Sequence, residues 1–216
     1  MDAEFWHRKW KERDIGFHAP KANELLVRYF GELAPTGRVF LPLCGKTLDI
    51  QWLLAQGYSV AGAELNETAV RELFGELGID PVVTEAGKLR LYSDGGTGEQ
   101  PGIDIFVGDI FDLSPAQLGP VDAVYDRAAL VALPGSMRGR YTAHLLALTH
   151  QVPQLLITFE YDQRLIDGPP FSITPAEVER HYGDSHRVTL AERRTLPGGL
   201  KGMHAADESA WILERK

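Results

Sequence analysis

The chain has 216 residues, with 22 Lys+Arg against 30 Asp+Glu for a formal net charge of −8, 44% hydrophobic and 24% charged residues, and one cysteine. These proportions fit a single globular domain with a sizeable core and exclude a disordered segment. A lone cysteine excludes an internal disulfide and a four-thiolate zinc site, and the acidic balance speaks against a nucleic-acid partner, which calls for clustered Lys and Arg.

Residues Glu4 to Glu12 are amphipathic, with Phe5, Trp6 and Trp10 among His7, Arg8, Lys9 and Lys11. A Gly- and Pro-punctuated loop follows, Asp14-Ile15-Gly16-Phe17-His18-Ala19-Pro20. The N-terminus carries acidic residues where a signal peptide is basic, so a cytoplasmic protein is expected. From Asn23 to Leu33 the apolar residues fall at helical spacing. Arg38 to Leu43 is a short apolar run between Gly37 and Gly45 and predicts a buried strand. Thr47 to Gln56 predicts a helix closed by Gly57, and Tyr58 to Glu64 a second strand. Asn66 is a good N-cap for a helix stopped by Gly78.

Further strands are expected over Leu89–Tyr92, Ile103–Val107, Val121–Tyr125 and Leu155–Tyr161, with a Gly-rich turn over Ser93–Gly102. Met137 to His150 and Pro175 to Tyr182 predict helices. Val188–Leu196 and Ser209–Leu213 predict two closing strands around Pro197-Gly198-Gly199. The apolar runs, such as Gln154 to Phe159, fall far short of the roughly 20 residues that cross a bilayer, so no membrane partner is expected.

Strands alternating with helices imply right-handed crossovers. The expected fold is α/β: a doubly wound, mostly parallel, seven-stranded sheet with a C-terminal antiparallel hairpin. Residues 1–216 form one domain in this reading, with 1–36 as a helical lid.

In such sheets ligands sit outside the carboxyl ends of the strands. The first strand runs into Leu41-Pro42-Leu43-Cys44-Gly45-Lys46, and Glu64 ends the second, 19 residues after Gly45. A Gly turn followed about 20 residues later by an acid is the pattern of nucleotide binding, the carboxylate taking two ribose hydroxyls. Glu64 could equally be a solvated strand-end residue. The G-x-G-x-x-G fingerprint is absent, which speaks against NAD and for a ligand lacking a pyrophosphate.

The third strand end supplies Asp109 and Ile110, where an Asp can accept from an adenine amine or cap a helix and Ile110 can pack on the ring. The fourth ends at Tyr125-Asp126-Arg127-Ala128-Ala129-Leu130. A cleft Arg127 needs a partner, either a ligand or a salt bridge to Asp126 or Glu64.

Leu41 to Lys46, Gly62-Ala63-Glu64 and Asp126 to Leu130 resemble the thiopurine S-methyltransferase family, in its bacterial branch. Phe5-Trp6 with Trp10, Gly16-Phe17-His18 and Gly168-Pro169-Pro170-Phe171 fall in register with the same family, so the resemblance runs from Phe5 to about Phe171.

The resemblance implies a class I, Rossmann-like methyltransferase using S-adenosyl-L-methionine and releasing S-adenosyl-L-homocysteine. Trp10, Leu43, Glu64, Asp109, Ile110 and Arg127 are its implied cofactor residues, joined by Gly45 of the turn after the first strand, and Phe17 and Arg127 are its implied substrate residues. A later acceptor-side arginine is left open between Arg193 and Arg194.

The implied acceptor is a small thiol, a thiopurine-like heterocycle or a selenium or tellurium compound, which links the chain to metalloid detoxification. No catalytic side chain and no metal are expected, because methyl transfer is an in-line displacement in which the cofactor carries the reactivity. Cys44 is expected to pack rather than react. A monomer is expected. A halide or thiol methyltransferase and a non-catalytic S-adenosylmethionine sensor are the alternatives.

Overall fold

One mixed sheet of nine strands organises the chain. The computed structural model describes residues 3–13, 21–33, 36–95 and 101–216. The strands are β1 (Arg38–Pro42), β2 (Ser59–Glu64), β3 (Val82–Ala86), β4 (Leu89–Ser93), β5 (Ile103–Val107), β6 (Ala123–Arg127), β7 (Gln154–Glu160), β8 (His186–Thr195) and β9 (Asp207–Arg215). Their spatial order is β3-β4-β5-β2-β1-β6-β7-β9-β8. The helices are α1 (Ala3–Lys11), α2 (Glu24–Leu33), α3 (Leu48–Ala55), α4 (Glu67–Leu77), α5 (Pro115–Leu118), α6 (Gly135–Leu148) and α7 (Pro175–Tyr182).

The five central strands, β5-β2-β1-β6-β7, run parallel, and an antiparallel pair extends each edge. The expected fold class is therefore found, including the C-terminal hairpin β8–β9. The strand count differs from the seven expected. The hairpin β3–β4 adds to the sheet beside β5, and β3 was not anticipated from the sequence. Its residues lie exposed to half-exposed on both faces, so it lacks the alternation that marks a half-buried strand.

Two apolar layers sandwich the sheet. Leu25, Leu26 and Phe30 of α2, Ile50 and Leu53 of α3, and Val70 and Phe74 of α4 pack on one face. Tyr141, Leu145 and Leu148 of α6, with Val178 and Tyr182 of α7, pack on the other. The parallel strands are buried on both faces, which is why β1, β2 and β6 are mainly apolar up to the charged residues at their ends.

Local caps set the helix starts. Thr47 accepts from Asp49 N, and Asn66 accepts from Thr68 N and Ala69 N, while Gly78 closes α4 at φ 70°. No helix among the described residues is long and apolar enough to cross a membrane.

Candidate active site

Four adjacent parallel strands, β5, β2, β1 and β6, bring Asp109, Glu64, the Leu43–Gly45 turn and Arg127 to one edge of the sheet. At the end of β1 the chain turns through Leu43 at φ 48° and Gly45 at φ 56°. A left-handed leucine is costly, by about 1–3 kcal/mol, and such strain gathers at functional sites. Ala128, just after β6, is a second non-glycine residue in that region at φ 70°. Both lie where neighbouring strands reach the cleft.

Glu64 locks two turns together. Gly45 N donates to its Oε2 at 2.8 Å, and Asn66 N to its Oε1 at 2.8 Å. The residue is only 6% exposed. Burial pushes its pKa above the usual carboxylate range, and the backbone N–H groups of Asn66, Gly45 and Leu65 oppose that shift. Glu64 is thus a buried carboxylate on backbone donors, not the solvated strand-end residue that the sequence left open.

Cys44 N donates to Ala63 O at 3.1 Å, which pins the turn to β2. The Cys44 thiol is 8% exposed, and burial, then the nearby Glu64 charge, push its pKa well up. Lys46 leaves the turn and pairs with Glu72 at 2.9 Å and Glu76 at 2.5 Å. Its ammonium serves α4 rather than the strand ends.

Asp109 caps the 3-10 turn Ile110–Asp112, accepting from Phe111 N at 3.1 Å, and is exposed. The helix-cap reading of Asp109 is therefore realised. Ile110 is buried in the apolar layer beneath α6. His144 Nε2 and Ile110 O are 2.8 Å apart, and the Arg140 guanidinium stacks 3.8 Å from the Phe111 ring centre, so α6 clamps this turn.

Arg127 pairs with neither Asp126 nor Glu64. Its Nη1 lies 3.7 Å from Asp49 Oδ2, and its buried Nε has no partner among the described residues. Asp126 faces the other layer, accepting from Leu130 N at 3.1 Å and Tyr141 OH at 2.7 Å. Sequence reasoning did not mark Asp49; its only signal was an acid in the first turn of a helix starting at the cofactor turn.

Helix α1 lies over this edge. Trp10 is buried, and His7 Nδ1 sits 3.2 Å from Asn66 Nδ2. Cavities of about 490 and 540 Å³ open around α1. The first is bounded by Leu65, Val107 and Gly108, which directly follow Glu64 and directly precede Asp109. The second is bounded by Trp10, Asn66 and Thr68. Leu43, Gly45 and Arg127 line neither. Phe17 and His18 lie outside the described residues.

A switch-point row of strand ends carrying a buried acid after β2 is the architecture of the class I methyltransferases. Solved structures agree at the level of fold. A 1,6-didemethyltoxoflavin-N1-methyltransferase from Burkholderia thailandensis, solved with bound 1,6-didemethyltoxoflavin and S-adenosylhomocysteine, is similar at a TM-score of 0.64 and 16% identity, over 98% of this chain and 86% of that one. Magnesium protoporphyrin IX methyltransferase from Synechocystis PCC 6803, solved with S-adenosylmethionine, is similar at 0.62 and 12%, over 98% and 97%.

The model of the thiopurine S-methyltransferase family matches residues 1–216. The thiopurine S-methyltransferase of Xanthobacter autotrophicus is 55% identical over 218 residues, covering 100% of each chain. That of Teredinibacter turnerae is 51% identical over 216 residues, covering 100% of this chain and 98% of the relative. The chain belongs to the thiopurine S-methyltransferase family and is an S-adenosylmethionine-dependent methyltransferase.

Proposed function

We propose that the chain moves a methyl group from S-adenosylmethionine to the sulfur of a small thiol or thiopurine-like heterocycle, and to selenium or tellurium compounds of similar nucleophilicity. The observation that carries this reading is the pair of strand ends on one edge: the buried Glu64 carboxylate and an Arg127 guanidinium with an unused Nε.

The residues present fit the cofactor. Gly45 N and Asn66 N each reach a different Glu64 oxygen, and an acceptor-only carboxylate suits the donors of a ribose diol. When bound, S-adenosylmethionine supplies a methyl group on a positively charged sulfur open to in-line displacement. Glu64, Gly45, Leu43 and Trp10 are the residues that would hold it, with Asp109 and Ile110 at the adenine end and Arg127 shared with the acceptor. Phe17 belongs to the acceptor side of the same reading.

The chain's part in catalysis is orientation and charge. Arg127 favours an ionised thiol beside it, because a cation within about 4–6 Å stabilises the anionic form. Holding reactants in line contributes about 7–11 kcal/mol of a barrier of this kind. Cys44 is buried with its pKa raised, so it is held as a neutral thiol and takes no nucleophilic role. Residues 1–36 act as a lid in this reading, with α1 closing over the ends of β2 and β5. The enzyme works as a monomer in the cytoplasm.

A labelled-methyl transfer screen over thiopurines, simple thiols, selenite, tellurite and iodide tests the proposal. Methylated thiopurine or thiol is the expected product. Methyl iodide as the sole product would assign a halide methyltransferase, and cofactor binding without any product would assign a sensor.

A further inference from the structure

The Asp49 carboxylate is the hub of a buried polar chain that connects three parts of the fold. Asp49 sits in the first turn of α3 and is 1% exposed. Its Oδ1 accepts from Asn23 N at 2.7 Å, and its Oδ2 accepts from Tyr125 OH at 3.1 Å. Tyr125 and Arg127 are two apart on β6, so their side chains share one face of the sheet. Asp49 therefore meets both: the phenol by a hydrogen bond, the guanidinium as its ion-pair partner.

The chain continues through Asn23. Its Oδ1 caps α2 by accepting from Leu25 N at 2.8 Å, and its Nδ2 donates to Glu208 Oε1 at 3.3 Å. Glu208 on β9 takes Arg194 of β8 at 2.7 Å. One buried carboxylate thus touches the start of α2, the end of β6 and, through Asn23, the C-terminal hairpin.

We propose that Asp49 is a positioning residue for Arg127, an inference that rests on the assignment of Arg127 to the active site. The argument is one of unequal constraint. Two hydrogen bonds, one of them short, and helix α3 fix Asp49. Among the described residues Arg127 has an Nη1 held only at 3.7 Å and an Nε with no partner, and Asp49 is the anion paired with it, so Asp49 sets its direction. A guanidinium recognises anions through a rigid planar fork, so its direction decides what it can bind. The same carboxylate holds Asn23 N, so the point where the N-terminal segment joins α2 is set by the group that aims Arg127.

The test is a double-mutant cycle of Asp49→Asn and Arg127→Met. Asn keeps an oxygen for Asn23 N, removes the charge, and turns the acceptor that faces Tyr125 OH and Arg127 into an NH2 donor, to which the phenol oxygen can still accept. Michaelis parameters with 6-mercaptopurine and S-adenosylmethionine affinity by calorimetry are both read. Asp49→Asn is expected to raise the KM for 6-mercaptopurine or weaken cofactor affinity about tenfold, with kcat within about twofold. In the Arg127→Met background the same change is expected to have less than about a twofold effect, the mark of residues acting as a unit.

Multiplying effects in both readouts overturn the proposal, while a large Arg127→Met effect in that same experiment leaves the proposed function standing. Silence of Arg127→Met in both readouts overturns the positioning role and the assignment of Arg127 together. Should Asp49→Asn fail to fold, Tyr125→Phe, which removes only the phenol bond to Asp49, enters the cycle in its place under the same criteria.

Discussion

Cys44 lies against the bare backbone of Gly62. A Cβ added to Gly62 would stand 2.9 Å from Cys44 Sγ and 2.6 Å from Ile105 Cδ1. The glycine belongs to β2, two residues before Glu64, and the cysteine belongs to the turn whose next N–H binds that Glu. The small residue on β2 is what allows the turn after β1 to settle close enough for Glu64 to reach Gly45 N. Gly62→Ala is expected to destabilise the protein by about 1–3 kcal/mol through overpacking and to weaken S-adenosylmethionine binding. Cys44→Ala in that background is expected to restore part of both. Thermal unfolding and calorimetry of the two variants check this, and a Gly62→Ala protein with unchanged affinity would refute it.

The same close packing encloses the single cysteine. Its thiol is buried and its pKa is raised, so little thiolate is present at neutral pH. A disulfide reagent at pH 8 is expected to leave the native protein unmodified and to titrate one thiol per chain in denaturant. Cys44→Ala alone is expected to retain turnover. Rapid native modification, or loss of turnover in a folded variant, would assign Cys44 a chemical role.

The legible parts of this fold were those where local pattern and tertiary role coincide. Buried parallel strands are rich in apolar residues, so β1, β2, β5 and β7 stood out, and Asn66 and Gly78 announced the ends of α4. The β3 strand did not, since its exposed residues carry no period and its pairing to β4 is set at a distance. Glu64 was legible because strand-end acids have a fixed spacing from the first turn. The partner of Arg127 was not, because Asp49 and Arg127 meet only once α3 has packed on the sheet. Neighbours in sequence suggested Asp126, but alternation along β6 sends that carboxylate into the opposite layer, to Tyr141.

Glu64 invites a substitution that separates charge from shape. Glu64→Gln keeps one oxygen for either Gly45 N or Asn66 N and presents an amide to the other. The orphaned N–H costs about 1–3 kcal/mol. Affinity for S-adenosylmethionine is expected to fall at least about tenfold if the carboxylate also takes the ribose hydroxyls, since that loss corresponds to about 1.4 kcal/mol. Calorimetry at matched pH reads the affinity, and urea unfolding reads the stability. Full affinity with reduced stability would restrict Glu64 to bracing the two turns.

Asp126 gives a pH signature. Burial raises its pKa from 3.8 to about 6, against the opposing hydrogen bonds from Tyr141 OH and the Leu130 and Ala129 N–H groups. An acid whose folded pKa is raised contributes stability that is present below its unfolded pKa and lost as pH rises through the folded value. The loss therefore runs between about pH 4 and 6 and is on the order of 3 kcal/mol once Asp126 is ionised. Asp126→Asn cannot ionise, and its amide keeps an oxygen for Leu130 N. Urea unfolding at pH 4.5 and 7 is expected to show the variant gaining on the unmodified protein as pH rises. Parallel stability curves would show that Asp126 carries no such penalty.

The lid reading rests on how α1 is held. Asn66 commits its Oδ1 to the cap of α4, accepting from Thr68 N at 2.9 Å and Ala69 N at 3.4 Å, so its Nδ2 faces His7 Nδ1. Asn66 N meanwhile donates to Glu64, so α1 is joined through one residue to the carboxylate assigned to the ribose. A nine-residue helix is marginal on its own and takes its order from packing, here through Trp10 and this contact. Saturating S-adenosylhomocysteine is expected to slow amide exchange across residues 3–13 at least about tenfold, and His7→Ala to speed it in the free protein. Both follow from α1 closing on a filled site. Equal exchange with and without the ligand would show that α1 is fixed packing, and that the cofactor enters by another route.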